Sequence, residues 1–379
     1  MRINIGCIFM ILSLFCISCE EARVKDGIQR IQIDITKKYP IVDIQIKRII
    51  PLELTKESAF RRAHKIIESS QHYSVMDRSL NKVYVFNKDG QFLEAIDRTG
   101  NGPGEYTTIT DINIDPYAKS LQILDPRGKL IGLALDDFSD VTDEILFPGI
   151  RNVTNFQLLN EDMIVLYSFA YVGEKSIRFY SREEDQIVKE MLESNVVDAK
   201  GAMTFSMSPF RVWNNSFKFT NINTYYSYKI VETTLDPEIY IDVGNNSFDF
   251  KTIAAQDYTY DIFNHIIENK KAFPISIIFE NDEYLAFGIY FDKAIRTFIV
   301  KKSDRRIFKL NMPEYPSNMM DFLTICNGLH TDEFRGIVSN PGMAEQIFED
   351  AVFGETIENQ INNLKSGDNP VIFEYELKF

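Results

Sequence analysis

From about residue 41 the chain alternates short apolar runs with turn residues. Asp43-Ile44-Gln45-Ile46-Lys47 alternates strictly, which gives a strand one apolar face. Tyr73–Met76, Val83–Phe86 and Phe92–Ile96 follow at close spacing, separated by Arg78-Ser79-Leu80-Asn81 and Asn87-Lys88-Asp89-Gly90. Short strands joined by Asn/Asp/Gly turns predict an antiparallel meander. Val83–Gly90 and Leu121–Gly128 echo each other at an offset of 38 residues, each an apolar strand ending in Asn or Asp, two variable residues and Gly. A period of about 40 with four short strands is the pattern of propeller blades. The strand–turn–strand rhythm recurs at Met163–Tyr167 with Ile177–Tyr180, Phe217–Phe219 with Tyr226–Ile230, and Tyr284–Tyr290 with Thr297–Val300.

Two stretches break the rhythm. Ile262, Phe263, Ile266 and Ile267 recur at helical spacing within Tyr258–Lys271, and a second helical insertion is expected over about 340–366. There Asn340 suits an N-cap, Pro341 the first helical position and Gly367 the position after the end, while Gly354 should break or kink the element. Alternation returns from Phe373 to Phe379. A propeller must close its ring or leave edges exposed, so Val371–Lys378 is expected in the same blade as Ile44–Ile50 or an adjacent one.

The first residues follow another logic. Arg2 precedes an apolar run from Ile8 to Ile17, long enough for a signal peptide and too short to span a bilayer. The run ends Cys16-Ile17-Ser18-Cys19, which resembles a lipobox, with Cys16 where that pattern usually has Leu. The resemblance implies acylation at Cys19 and stable anchoring by several acyl chains. Glu20 and Glu21 resemble the surface-export signal of Bacteroidota lipoproteins. The expected organisation is therefore a signal peptide over 1–18, a tether and possible first strand over 19–40, and a propeller over 41–379.

The net charge of −14 repels phosphate backbones, and no Lys/Arg run forms a basic patch, so nucleic-acid binding is not expected. Three of the four cysteines lie in the first 19 residues, which leaves Cys326 without a disulfide partner in the folded part. His64, His72, His265 and His330 have no metal-ligand spacing, and no G-x-S-x-G elbow occurs, so neither metal nor cofactor is expected. The turns at Gly90 and Gly128 lack the later Glu of a calcium loop.

Ile50-Pro51-Leu52-Glu53, Val83-Tyr84-Val85-Phe86, Gly90, Gly100-Asn101-Gly102-Pro103-Gly104-Glu105-Tyr106 and Asp111 together resemble the six-bladed, NHL-like β-propeller lipoproteins of Bacteroidota. The match is close over residues 41–136 and loose beyond. It implies an all-β fold, a six-bladed β-propeller of four-stranded antiparallel blades, and a place in the cell envelope at the outer membrane. It implies no reaction. The Gly-rich loop lacks the Lys-Ser/Thr ending of a phosphate loop and reads as a tight connection between blades. Were it at the propeller mouth, Arg98, Glu105 and Tyr106 would be the ligand-binding candidates. Asp111 and Asp115 share the polar face of a strand, expected to be solvated, and Trp213 beside Asn214 and Asn215 is either core or a sugar-stacking ring. The function expected is a binding module for a glycan, peptide or envelope protein, held to the membrane by its lipid anchor. The alternatives are a hydrolase or lyase at the channel mouth, or a structural subunit of an outer-membrane complex.

Overall fold

The structure, a computed structural model, describes residues 27–195, 208–220, 224–254, 257, 259–311, 334–338, 340–349 and 351–379. Cys19, Glu20, Glu21, Cys326 and His330 lie outside the described residues. The chain enters through β1 (Gln29–Gln32) and β2 (Ile41–Pro51), which do not pair with each other. Four meanders come next. The first is β3 (Lys65–Glu68), β4 (His72–Asp77), β5 (Lys82–Asn87) and β6 (Phe92–Ile96). The second is β7 (Asp111–Asp115), β8 (Ser120–Asp125), β9 (Lys129–Ala134) and β10 (Val141–Leu146). The third is β11 (Val153–Leu158), β12 (Met163–Ser168), β13 (Lys175–Ser181) and β14 (Gln186–Glu193). The fourth is β15 (Phe210–Trp213), β16 (Ser216–Thr220), β17 (Tyr226–Val231) and β18 (Thr234–Asp242), to whose outer edge β1 adds in parallel.

The remaining strands form one sheet. It runs β19 (Ala272–Glu280), β20 (Tyr284–Phe291), β21 (Ala294–Lys301), β22 (Ile307–Leu310), β2, β24 (Val371–Lys378), β23 (Phe334–Val338). Hydrogen bonding thus delimits four separate blades rather than the six expected. The physical cause is a two-residue parallel pairing, Ile41 with Lys309 and Val42 with Leu310, that joins β22 to β2 and fuses β19–β24 and β2 into a single sheet of seven strands. β2 pairs antiparallel with β24 from Asp43–Lys378 to Pro51–Val371, so an early strand and a late one share one sheet.

The arrangement is a β-propeller because most strands are apolar on both faces. In β5, Val83 and Val85 face Ile112, Leu121, Ile123 and Ile131 of the second sheet, while Tyr84 and Phe86 face Ile50, Ile337 and Ile372. Leu124 and Leu130 face Phe156, Ile164 and Leu166 of the third sheet, and Val165, Tyr167 and Phe179 face Phe210 and Phe219 of the fourth. Each sheet therefore hides one face on the sheet before it and one on the sheet after it, which is face-to-face packing carried around an axis. The outer strands β10 and β14 have no strand beyond them and accordingly mix exposed and half-buried positions.

The expected helices are present but shorter. α1 (Thr259–Glu268) docks Ile262 and Ile266 on Phe273 and Tyr290. The insertion is a 3₁₀ turn at Pro341–Met343 and two helices, α2 (Ala344–Ile347) and α3 (Glu355–Asn362), with Gly354 at the N-cap of the second. Between them Val352 bonds across to Ile44 and Ile46 of β2 through the backbone, so the segment covers the free side of β2.

Candidate functional site

First strands touch one another: β3 meets β7, β7 meets β11, and β15 meets β19. They line the axis, and a cavity of about 260 Å³ opens where several of them end. Its walls are Ile67 and Glu68 at the end of β3, Asn113 and Ile114 near the end of β7, Gln157 and Leu158 at the end of β11, and Val212 and Trp213 at the end of β15. Tyr117, Asn214, Asn215 and Phe217 complete the rim. Four blades thus contribute equivalent positions to one mouth of the central channel.

The polar groups are held before any ligand arrives. Asn113 Nδ2 donates to Gln157 Oε1 at 3.1 Å, and Gln157 Nε2 donates to the Leu158 carbonyl at 3.1 Å, which fixes both amides across the β7–β11 boundary. Asn214 and Asn215 both take positive φ (46° and 56°), the tight-hairpin conformation that Asn tolerates and that turns Trp213 onto the rim. Trp213 Nε1 donates to Asp282 Oδ1 at 3.1 Å, and Asn214 Nδ2 reaches the same oxygen at 3.3 Å. Glu68 is a carboxylate in the wall, and it is neutralised by ion pairs with Lys88 and with Arg335, which also bonds Glu374 at 3.1 Å. Among the described residues no three His, Cys, Asp or Glu side chains gather as they would around a metal.

Arg98, Glu105 and Tyr106 lie elsewhere. β3 ends at the cavity, so β4 begins there, β5 ends there, and β6 runs away from it. The loop from β6 to β7 is consequently at the opposite end of the channel. Its side chains are used internally. Arg98 Nη2 donates to the carbonyls of Phe138 (3.1 Å) and Ser139 (2.6 Å), and Glu105 Oε2 accepts from Gly102 N at 2.7 Å. Tyr106 has no solvent exposure, and its hydroxyl accepts from Arg98 N at 3.1 Å and lies 3.3 Å from the carbonyls of Asn81 and Ile96. Burial pushes the Tyr106 phenol up to about 12. Of the loop glycines only Gly104 has positive φ (68°); Gly100 and Gly102 leave room for the Glu105 carboxylate instead.

Asp111 and Asp115 are not on a solvated face. Both are completely buried, because β7 is enclosed by its neighbours on both sides. Asp111 pairs with Lys65 at 2.8 Å and accepts from Phe156 N at 3.1 Å, tying three blades together. Asp115 pairs with Arg182 at 2.7 Å and accepts from Tyr117 N and Ala118 N. A buried ion pair joins the fourth sheet to β19 in the same way, Lys218 with Glu280. His64 accepts from Arg78 N at 3.2 Å, and burial, with Arg78 close by, lowers its pKa, so it is a neutral structural group near neutral pH.

Sequence reasoning placed Trp213, Asn214 and Asn215 together but missed Asn113, Gln157 and Tyr117. The available signal was slight: an amide between Ile112 and Ile114, and another between Phe156 and Leu158, in first strands that carry other polar residues as well.

Comparison with known proteins bears on the fold. A crystal structure of a "putative exported protein" from Bacteroides fragilis superposes with a TM-score of 0.71 at 15% identity, over 93% of this chain and 100% of that one. A member of the DUF4221 family from Bacteroides vulgatus gives a TM-score of 0.54 at 9% identity, over 90% and 99%. No curated protein matches. The model of a domain of unknown function, DUF4934, matches residues 44–376, nearly all of the propeller. The chain belongs to the DUF4934 family.

Proposed function

We propose that this protein is an exported, lipid-anchored propeller of the cell envelope that works as a binding module, holding its ligand at the channel mouth beside Trp213. The observation that carries the reading is the composition of that mouth: amides and aromatic rings from three blades, with the single wall carboxylate, Glu68 of a fourth, already neutralised. Proton transfer needs a titratable group free to accept or donate, whereas recognition needs oriented hydrogen-bond partners and an apolar surface, as here. Export rests on the leader residues and on likeness to a protein described as a "putative exported protein", and acylation at Cys19 rests on the lipobox-like residues alone.

We read the seven-stranded sheet as two blades, β19–β22 and β23–β24–β2, which makes the ring six-bladed. Three features support this. The two parts meet over only two residues. Ile278, Ala286 and Ile299 of one pack in the same cluster as Ile44, Ile46 and Phe373 of the other, as faces of neighbouring blades do. The second part, in which β2 pairs with β24, also packs on the first meander through Ile50, Ile337 and Ile372.

The test is a thermal-shift screen of wild type against Asn113→Trp, which fills the cavity, using soluble oligosaccharides and short peptides. Compounds that raise the melting temperature of wild type should lose the effect in the variant. Equal stabilisation of both proteins would place binding elsewhere. For the anchor, Cys19→Ala should move the protein from the membrane pellet to the soluble fraction, and an unchanged pellet would refute acylation there.

A further inference from the structure

Resting on that reading, we infer that the ligand class is a neutral glycan, with one sugar ring stacked on Trp213 and its hydroxyls met by Asn113, Gln157 and Asn215. The cavity, at about 260 Å³, lies just under the roughly 300–1,000 Å³ of clefts for drug-sized ligands, so it suits a compact group. Apart from the paired Glu68, the groups set among its aliphatic walls are of two kinds, amides and aromatic rings. Amides offer a donor and an acceptor on one rigid plane, which matches the paired donor and acceptor of each sugar hydroxyl. Trp213, Tyr117 and Phe217 offer flat apolar faces for the C–H face of a pyranose.

Charge excludes the main competitors. An anionic ligand such as a phosphate or uronate would meet the exposed Asp282 carboxylate beside Trp213 and no uncommitted cation in the wall, since Lys88 and Arg335 are already paired with Glu68. A cationic ligand would find that same Glu68 neutralised and Asp282 Oδ1 already engaged by Trp213 Nε1 and Asn214 Nδ2. Asp282 also locks the ring: with its Nε1–H bonded there, Trp213 is held at the rim by a partner outside the cavity, so little order must be imposed on binding.

Trp213 is the only tryptophan in the chain, so intrinsic fluorescence reports on this site alone. The full mature chain is titrated with short neutral oligosaccharides of glucose, mannose, galactose and xylose, with oligogalacturonates, and with a mixed short-peptide pool. A saturable change in Trp213 emission with at least one neutral sugar is expected. By calorimetry, affinity for that sugar should fall about tenfold or more in Trp213→Ala and Gln157→Ala. Trp213→Phe should retain most of it, and its melting curve checks the fold. A saturable response to uronates or peptides but to no neutral sugar overturns the glycan assignment and leaves the binding-module reading standing. Silence with all three classes overturns both.

Discussion

Replacing Tyr106 by Phe removes one oxygen from a side chain that solvent does not reach. The hydroxyl accepts from Arg98 N and is placed to donate to the carbonyl of Asn81 or Ile96. Its loss costs one donated bond and leaves a backbone N–H without its acceptor, which together amount to about 2 kcal/mol. At about 2.1 cal/mol/K of unfolding entropy per residue, a folded body of roughly 340 residues melts about 3 °C lower for that loss. Calorimetry or circular dichroism on Tyr106→Phe measures it. The pH dependence adds a signature. Burial holds the folded-state phenol at about 12, above its ordinary value, so the stability tied to its protonated form is whole below pH 10 and is lost as pH rises from 10 toward 12. The gap between wild type and variant should therefore narrow in that range. If Tyr106→Phe melts with wild type yet loses ligand, the loop is a binding site and the structural reading of the Gly-rich motif fails.

Three further outcomes are expected. Asp125→Ala should cost about 2–4 kcal/mol in urea unfolding, because that carboxylate caps Arg127 N and Thr107 N. Burial pushes its pKa up, but the Arg127 side chain together with those backbone bonds outweighs burial and holds it below the ordinary value, so its contribution is present above the usual carboxylate range and fades as pH falls through the lowered pKa. Lys65→Met should cost about 3–5 kcal/mol by leaving Asp111 buried without its ion-pair partner, and Lys65→Met/Asp111→Asn should recover part of that loss; no recovery would deny the coupling. Gly104→Ala should cost about 1–2 kcal/mol, since φ is +68° and a Cβ would press on Val141, whereas Gly102→Ala, without positive φ, should cost less.

The 38-residue echo is instructive about the meaning of a sequence repeat. Val83–Gly90 contains the third strand of one blade and its outer turn, while Leu121–Gly128 contains the second strand of the next blade. The echo is one of hairpin chemistry, apolar strand followed by Asx and Gly, and not of blade position. The blade-equivalent pair is Asp77 and Asp125, each ending a second strand. Each accepts from the turn just after it (Ser79 N, Arg127 N) and from the connection that precedes its blade (Arg61 N, Thr107 N). Neither acid stands out in the sequence, because the partners the two have in common are backbone groups; Asp125 adds the Thr107 hydroxyl and the Arg127 guanidinium. Gly90 did have a legible reason: φ is +82°, and its α-carbon packs against the Pro51 carbonyl, where a side chain would collide.

By itself the sequence determined local structure: strands from alternation and β-branched content, turns from Asn, Asp and Gly, two short helical segments, and a terminal strand made to pair with an early one. These depend on neighbours a few residues apart, which spacing records. Which polar residues would be buried, where the strands would fuse into one sheet, and that the Gly-rich loop and the Trp213 cavity occupy opposite ends of the channel were decided by the tertiary structure. Asp111 looks solvated on a lone strand and becomes a buried ion-pair partner once Lys65 and Phe156 arrive from neighbouring blades. The reason is geometric: radial stacking covers both faces of a strand and gathers side chains separated by 40 residues or more, and one-dimensional periodicity carries no term for either.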